Sequence, residues 1–280
     1  MTPMREAVVR YMTLRGLAPK TKESYLHAIE ELSRFYWRPV ESLSCIEVQK
    51  FLEHLISERQ REWSTVNVYF SAYRLLYEKV LKQPERQFSI PRRGRSGKRP
   101  GVLSRQEVDR LIAAPRQLKH RALLAMTYGA GLRASEAVKL KPRHIARDRG
   151  LVRVDQGKGR KDRYTLLADG ALQLIEEHWR ANGPFDYFFF GRDKSKPMCV
   201  GSAQYVYDQA CKSGNVRRVG GIHVLRHCFA THLMEMHVPI ELIQRFMGHR
   251  YAKTTAGYMH VTSEHLRTIR SPLDIMVNGE

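Results

Sequence analysis

The sequence predicts a mainly helical chain with one small antiparallel β-sheet, an α+β arrangement in two domains. Three observations carry this expectation. Apolar residues recur every three or four positions through most of the chain, strict alternation is confined to the flanks of Gly157-Lys158-Gly159, and the composition changes abruptly after Ile90. At 280 residues the chain is long enough for about two cores, and a hydrophobic fraction of 42% marks it as globular.

Residues 1–88 read as helices alone. Val8, Tyr11, Met12 and Leu14 form a first stripe, interrupted at Gly16 and Pro19, and Tyr25, Ile29, Leu32 and Tyr36 form a second. Ser44 and Glu47 make a capping box ahead of Ile46, Val48, Phe51, Leu52 and Leu55; Ser64 is the expected cap of a last helix through Val68, Tyr73, Leu76, Tyr77 and Val80. The aromatic residues of this four-helix module read as core rather than as base-stacking groups. Its Lys20, Lys22, Arg34, Lys50, Arg59, Arg61 and Arg74 can meet phosphates or simply be solvated. Residues 89–101 are then a linker, SIPRRGRSGKRPG, in which Arg92, Arg93, Arg95, Lys98 and Arg99 lie among Pro and Gly without an acid. Such a segment is flexible, and it also suits a path across a phosphate backbone.

Residues 102–280 form the second domain. Ser104 and Glu107 repeat the capping box, Arg121 to Tyr128 is an apolar buried helix, and GAGLRASE follows with Arg133 at the entry of a new helix and Glu136 placed to orient it. Arg147 to Gln156 is an expected strand, with Tyr164 to Leu167 its partner across the hairpin GKGRKDR, whose tip carries Lys158. Arg160, Lys161 and Arg163 of this hairpin are candidate phosphate contacts, although charged hairpins are usually only solvated. Helices are expected over Ala168 to Ala181 and Ser202 to Ser213, with a short apolar strand over Tyr187 to Phe190. The stretch from Ile222 to His260 then packs three short helices. HVLRH sets His223, Arg226 and His227 on one face, Pro239 opens Ile240 to Met247, Gly248-His249 closes it, and Lys253 to Met259 carries Tyr258.

Lys and Arg total 48 against 28 acidic residues, a formal charge of +20. An excess of that size disfavours an ordinary metabolic enzyme and points to a polyanion, nucleic acid first and an anionic membrane surface second. No apolar run reaches membrane-spanning length and the N-terminus lacks a signal-peptide pattern, so a cytoplasmic protein is expected. The four cysteines are widely spaced without a CxxC pair, which favours reduced thiols over disulfides or zinc.

Two arginines and a lysine beside histidines and a tyrosine suit chemistry at a phosphodiester. Guanidinium forks bind non-bridging oxygens and hold the extra charge of the transition state. A tyrosine oxygen can attack phosphorus, a histidine can move protons, and a lysine can protonate a leaving oxygen. No metal or cofactor is required. His223 and His227 have the i, i+4 spacing of zinc ligands, but Val224 follows where a zinc hydrolase carries glutamate. His227, His232, His237 and His260 read as structural or accessory. GAGLRAS is neither a P-loop nor a dinucleotide fingerprint.

GAGLRASE, GKGRKDR, HVLRHCFATHL, MGH and the later Tyr258, in this order, resemble the tyrosine recombinases, or phage-integrase family, with the Xer and integron integrases as near relatives. The resemblance covers nearly the whole chain. It implies an N-terminal helical core-binding (SAM-like) domain and a catalytic domain that clamp DNA between them. It also implies roles: Arg133 and Arg226 clamp the scissile phosphate, Glu136 supports the first arginine, His223 begins the HxxR box, and His249 occupies the later His/Trp position. Lys158 resembles the general acid and Tyr258 the nucleophile. Cys228 stands where many relatives have serine, and Met247 where leucine is usual. The implied reaction is site-specific recombination through a 3′-phosphotyrosyl bond, without ATP or a divalent ion. The implied partners are duplex DNA bearing a core site and three further copies of the chain, with room for a second recombinase or an accessory protein. Strand relaxation of the type IB topoisomerase kind, and a non-catalytic DNA-binding regulator of a mobile element, are the alternatives.

Overall fold

A computed structural model describes residues 3–83, 88–90, 101–155 and 162–248. The chain divides into two compact units, Met1–Lys98 and Arg99–Glu280, each with its own core.

In the first unit, α1 (Pro3–Leu14), α2 (Pro19–Tyr36), α3 (Cys45–Ser57) and α4 (Trp63–Arg74) surround Met12, Leu32, Phe51, Leu55 and Tyr73. The capping box at the start of α3 is present in both directions between Ser44 and Glu47. Ile46, expected in the core, is 68% exposed. It lies two residues from Val48, about 200° around a helix from the buried row. Leu14 stands in the same relation to Met12 and is likewise exposed. Ser64 is not a cap: the helix begins at Trp63, two residues earlier than a Ser64 cap would place it, with Glu62 at the N-cap. Leu75–Val80 continues α4 as a π-helical turn, with Leu76 and Tyr77 buried.

The second unit is organised on α6 (Leu118–Gly129), whose residues from Ala122 to Gly129 are buried on every side. An all-round apolar helix needs a jacket. Here α5 (Arg105–Ala113), capped by Ser104 and Glu107, packs against it ahead of the short α7 (Ala134–Ala137). The sheet has three antiparallel strands in the order β1 (Ile145–Ala146), β2 (Leu151–Val154) and β3 (Arg163–Leu166). The expected long strand from Arg147 is shorter, because Arg147–Arg149 forms a 3-10 turn closed by Gly150 in the left-handed region, and Ile145–Ala146 supplies the extra strand. Helices α8 (Asp169–Asn182) and α9 (Val200–Ser213) also pack on α6. Tyr187 to Phe190 is not a strand: Phe190 makes only an isolated bridge to Pro197. Its aromatic rings turn instead into a cluster of Phe185, Phe188, His178 and Trp179. The unit continues with α10 (His223–Glu235), which packs on α6, and α11 (Ile240–Met247), which packs on α10 and β3. All four cysteines are free thiols.

Candidate active site

The site begins at a turn that only glycine permits. Gly131 follows α6 with φ +59°, and a Cβ there would lie 2.4 Å from the Phe229 ring. Through this turn the chain delivers Arg133 to the N-cap of α7. Glu136, one turn on, accepts the Arg133 backbone N–H at 2.8 Å and its Nη1 at 2.6 Å. Thr165 of β3 donates to the Ala130 carbonyl at 2.9 Å and holds the turn from below.

Helix α10 supplies the second guanidinium. Arg226 is 4% exposed, on the face that carries Leu225 and Phe229 into the core. Its Nη1 donates to the Gly131 carbonyl at 2.6 Å and its Nη2 to the Met247 carbonyl, and Glu136 lies 3.7 Å away. The carbonyl end of α11 is thus capped by arginine, first through Met247 and then through Phe246, which accepts from Arg163 Nε at 2.8 Å. Gly248 closes the helix at φ +59°, and a Cβ there would meet Arg163 Cδ at 2.7 Å.

Three guanidiniums therefore face one carboxylate. Arg133, Arg163 and Arg226 lie 2.6, 2.7 and 3.7 Å from Glu136 oxygens. Burial opposes ionisation of Glu136, yet the hydrogen bonds and charge of Arg163, then those of Arg133, outweigh it and hold the carboxyl at about 2. Arg226 is pushed down to about 9, by burial first and by the Arg133 charge second. It stays charged at neutral pH, in a cluster that one carboxylate does not neutralise. An anion between Arg133 and Arg226 would complete it. His223, exposed at the first turn of α10, is pushed below its ordinary value by partial desolvation and then by Arg226, which favours a neutral imidazole at neutral pH.

The structure thus brings together Arg133, Glu136 and Arg226, with His223 in their electrostatic reach. It corrects one expectation. Arg163 is a buried partner of Glu136, its side chain 9% exposed, and not a surface DNA contact. The strand register explains this: Arg163 pairs with Val154 and Thr165 with Val152, a face that is buried, while Tyr164 and Arg153 turn outward. The alternation Arg163, Tyr164, Thr165 carried that signal. Lys158, His249, Tyr258, Arg92, Arg93, Arg95, Arg160 and Lys161 lie outside the described residues, as do the expected helix over 253–259 and the C-terminal tail. Three buried histidines among the described residues have structural partners, and His178 contacts the Phe188 carbonyl at 3.0 Å. His232 bridges the Tyr128 hydroxyl at 2.8 Å and the Leu103 carbonyl at 3.1 Å. His144, unremarked in the sequence, contacts Asp155 at 3.1 Å where β2 ends. Among the described residues no His, Cys, Asp and Glu group is arranged to hold a metal ion, and no helix is long and apolar enough to cross a membrane.

Comparison with known proteins places this geometry in a family. Residues 101–265 match the phage integrase family, and residues 4–86 match the phage integrase N-terminal SAM-like domain. A putative integrase/recombinase of Sinorhizobium fredii, y4qK, is 30% identical over 99% of this chain and 90% of its own length. Tyrosine recombinase XerA of Thermococcus kodakarensis is 32% identical over 92% of this chain and 90% of its own. Among solved structures, a lambda integrase tetramer bound to a Holliday junction has a similar fold. Its TM-score is 0.70 at 16% identity, over 96% of this chain and 77% of that one. The chain belongs to the phage integrase family and is a tyrosine recombinase, an enzyme of DNA strand cleavage and rejoining. These relatives do not favour the relaxation or non-catalytic alternatives.

Proposed function

We propose that Tyr258 is the nucleophile of this recombinase and that Arg133 and Arg226 hold the phosphodiester it attacks. The observation that supports this most is the pair of arginines, one buried and one 20% exposed at its side chain, sharing a single carboxylate. A phosphodiester gains a negative charge as a fifth oxygen approaches phosphorus, and guanidiniums fixed beforehand by Glu136 and by the Gly131 and Met247 carbonyls stabilise that charge without reorganising. Attack by Tyr258 forms the phosphotyrosyl bond and expels a 5′-hydroxyl, which takes its proton from Lys158. His223, held neutral, and His249 serve the proton transfers and hydrogen-bond the phosphate. In the second step the 5′-hydroxyl of a partner strand attacks the same phosphorus and frees Tyr258. One phosphodiester is exchanged for another, so neither ATP nor a metal ion enters the balance.

On this reading residues 1–88 bind the arms of the core site, residues 89–101 link the units, and residues 102–280 catalyse. Arg92, Arg93, Arg95, Arg160 and Lys161 contact phosphates. Four copies assemble on two duplexes in the cytoplasm, with or without a second recombinase or accessory protein. The formal charge of +20 supports the duplex as partner. The test is strand exchange between two differently labelled duplexes that carry a site selected by binding from a randomised pool, in EDTA and without nucleotide. Recombinant duplexes support the proposal; relaxation of supercoiled plasmid with no exchanged strands overturns it.

A further inference from the structure

Arg163 is the charged residue whose placement the site chemistry leaves unexplained. It sits at the start of β3, its fork closed on both oxygens of Glu136, Nη1 at 2.8 Å and Nη2 at 2.7 Å. Its Nε donates to the Phe246 carbonyl at 2.8 Å, so three separate N–H groups are taken by protein. The two side chains of the ion pair are each 9% exposed. Gly248 leaves the space its aliphatic stem occupies, since a Cβ there would press on Cδ at 2.7 Å. Glu136 in turn holds Arg133, and the same helix end that receives Arg163 receives Arg226 one carbonyl later.

We infer that Arg163 is a positioning residue: it fastens β3 to Glu136 and to the carbonyl end of α11, and thereby fixes the separation of Arg133 and Arg226. The inference rests on the proposed reading of those two arginines as the phosphate clamp. A planar fork is required, because two parallel hydrogen bonds to one carboxylate and a third from Nε to a separate carbonyl cannot be made by an ammonium. Lysine therefore keeps the charge and loses the geometry. Without the fork, Glu136 also loses the partner that contributes most to its ionisation, and burial pushes its carboxyl upward.

The test uses the full-length chain, its Arg163→Lys and Arg163→Met variants, and nicked duplexes selected by wild-type binding from a randomised pool. Single-turnover formation of the covalent protein–DNA species is followed at saturating protein, below each variant's melting temperature, together with the salt dependence of binding. Both variants should form the adduct about 100-fold more slowly, as expected when reacting groups shift by about 1 Å. Binding should keep the wild-type salt slope, and the Arg163→Met rate should decline with acidification from a higher pH than wild type. Three results would overturn the inference. The first is a Lys variant that cleaves at the wild-type rate. The second is a log–log salt slope shallower by about 0.9, the mark of one lost phosphate contact. The third is a lowered melting temperature with an unchanged single-turnover rate, the mark of a role in stability alone. Where Arg163→Met does not fold, Arg163→Lys decides. Failure of the wild type itself to form the adduct would instead count against the proposed nucleophile.

Discussion

Glu136→Gln tests the electrostatic design of the site. The substitution keeps size and one acceptor oxygen, but it turns the other acceptor into an NH2 donor and removes the charge that faces guanidiniums at 2.6, 2.7 and 3.7 Å. In the folded chain the carboxyl sits at about 2, against an ordinary value of 4.5. At about 1.4 kcal/mol for each tenfold in proton affinity, the ionised carboxylate stabilises the fold by about 3 kcal/mol. The folded-state pKa is depressed, so this contribution is complete above about pH 4.5 and is lost as pH falls towards 2. The two units have separate cores, which makes a single whole-chain unfolding curve a poor probe. Hydrogen exchange of the buried amides of α6 reports on the second unit alone. At pH 7 those amides should exchange about 100-fold faster in Glu136→Gln, and the difference should shrink when both proteins are compared near pH 3. Exchange within threefold of wild type at pH 7 would show that the cluster does not depend on the carboxylate charge, and the reasoning would fail.

Other outcomes follow from the same geometry. Arg133→Ala should slow covalent adduct formation by about 100-fold or more while duplex affinity in a gel shift changes only a few-fold, since the loss concerns transition-state charge. Gly131→Ala forces a methyl to 2.4 Å from the Phe229 ring at a positive φ and displaces the carbonyl that holds Arg226, so hydrogen exchange of the α6 amides should reveal a loss of about 2 kcal/mol or more together with lost activity. Tyr128→Phe leaves His232 Nδ1 without its hydroxyl partner and should cost about 1–3 kcal/mol in stability with little change in the adduct rate. An NMR titration of His223 in the free protein should give a midpoint below 6.5, the direction that partial burial and Arg226 impose.

Features that depend on near neighbours could be read from the sequence. Both capping boxes close within three residues, the Gly248 turn follows from one glycine after an amphipathic helix, and Arg133 and Glu136 are one helical turn apart. The fold class needed only the two periodicities. Features set by distant residues were not legible. Arg163 finds Glu136 and Phe246 at separations of 27 and 83 residues, and a basic hairpin otherwise looks solvated. His144 meets Asp155 only because β1 and β2 fold back on each other. The apolar run from Tyr187 to Phe190 has the composition of a strand, and stacking of Phe190 on His178 with an edge contact of Phe188 to Trp179 takes it elsewhere. Leu14 and Ile46 leave the buried stripes for a simpler reason: an apolar residue two places from a buried one lies on the opposite face of a helix.

In the proposed mechanism a tyrosine, presented to a phosphodiester held by Arg133 and Arg226, breaks the DNA strand. The most direct test is to incubate the protein with nicked or phosphorothiolate-bridged duplexes selected by binding, denature, digest, and locate the nucleotide-bearing peptide by mass spectrometry. The expected product is a denaturant-resistant adduct whose 3′-phosphate is attached to Tyr258 and which is absent from Tyr258→Phe. An adduct on a different residue, or none on duplexes that the protein visibly binds, would contradict the mechanism.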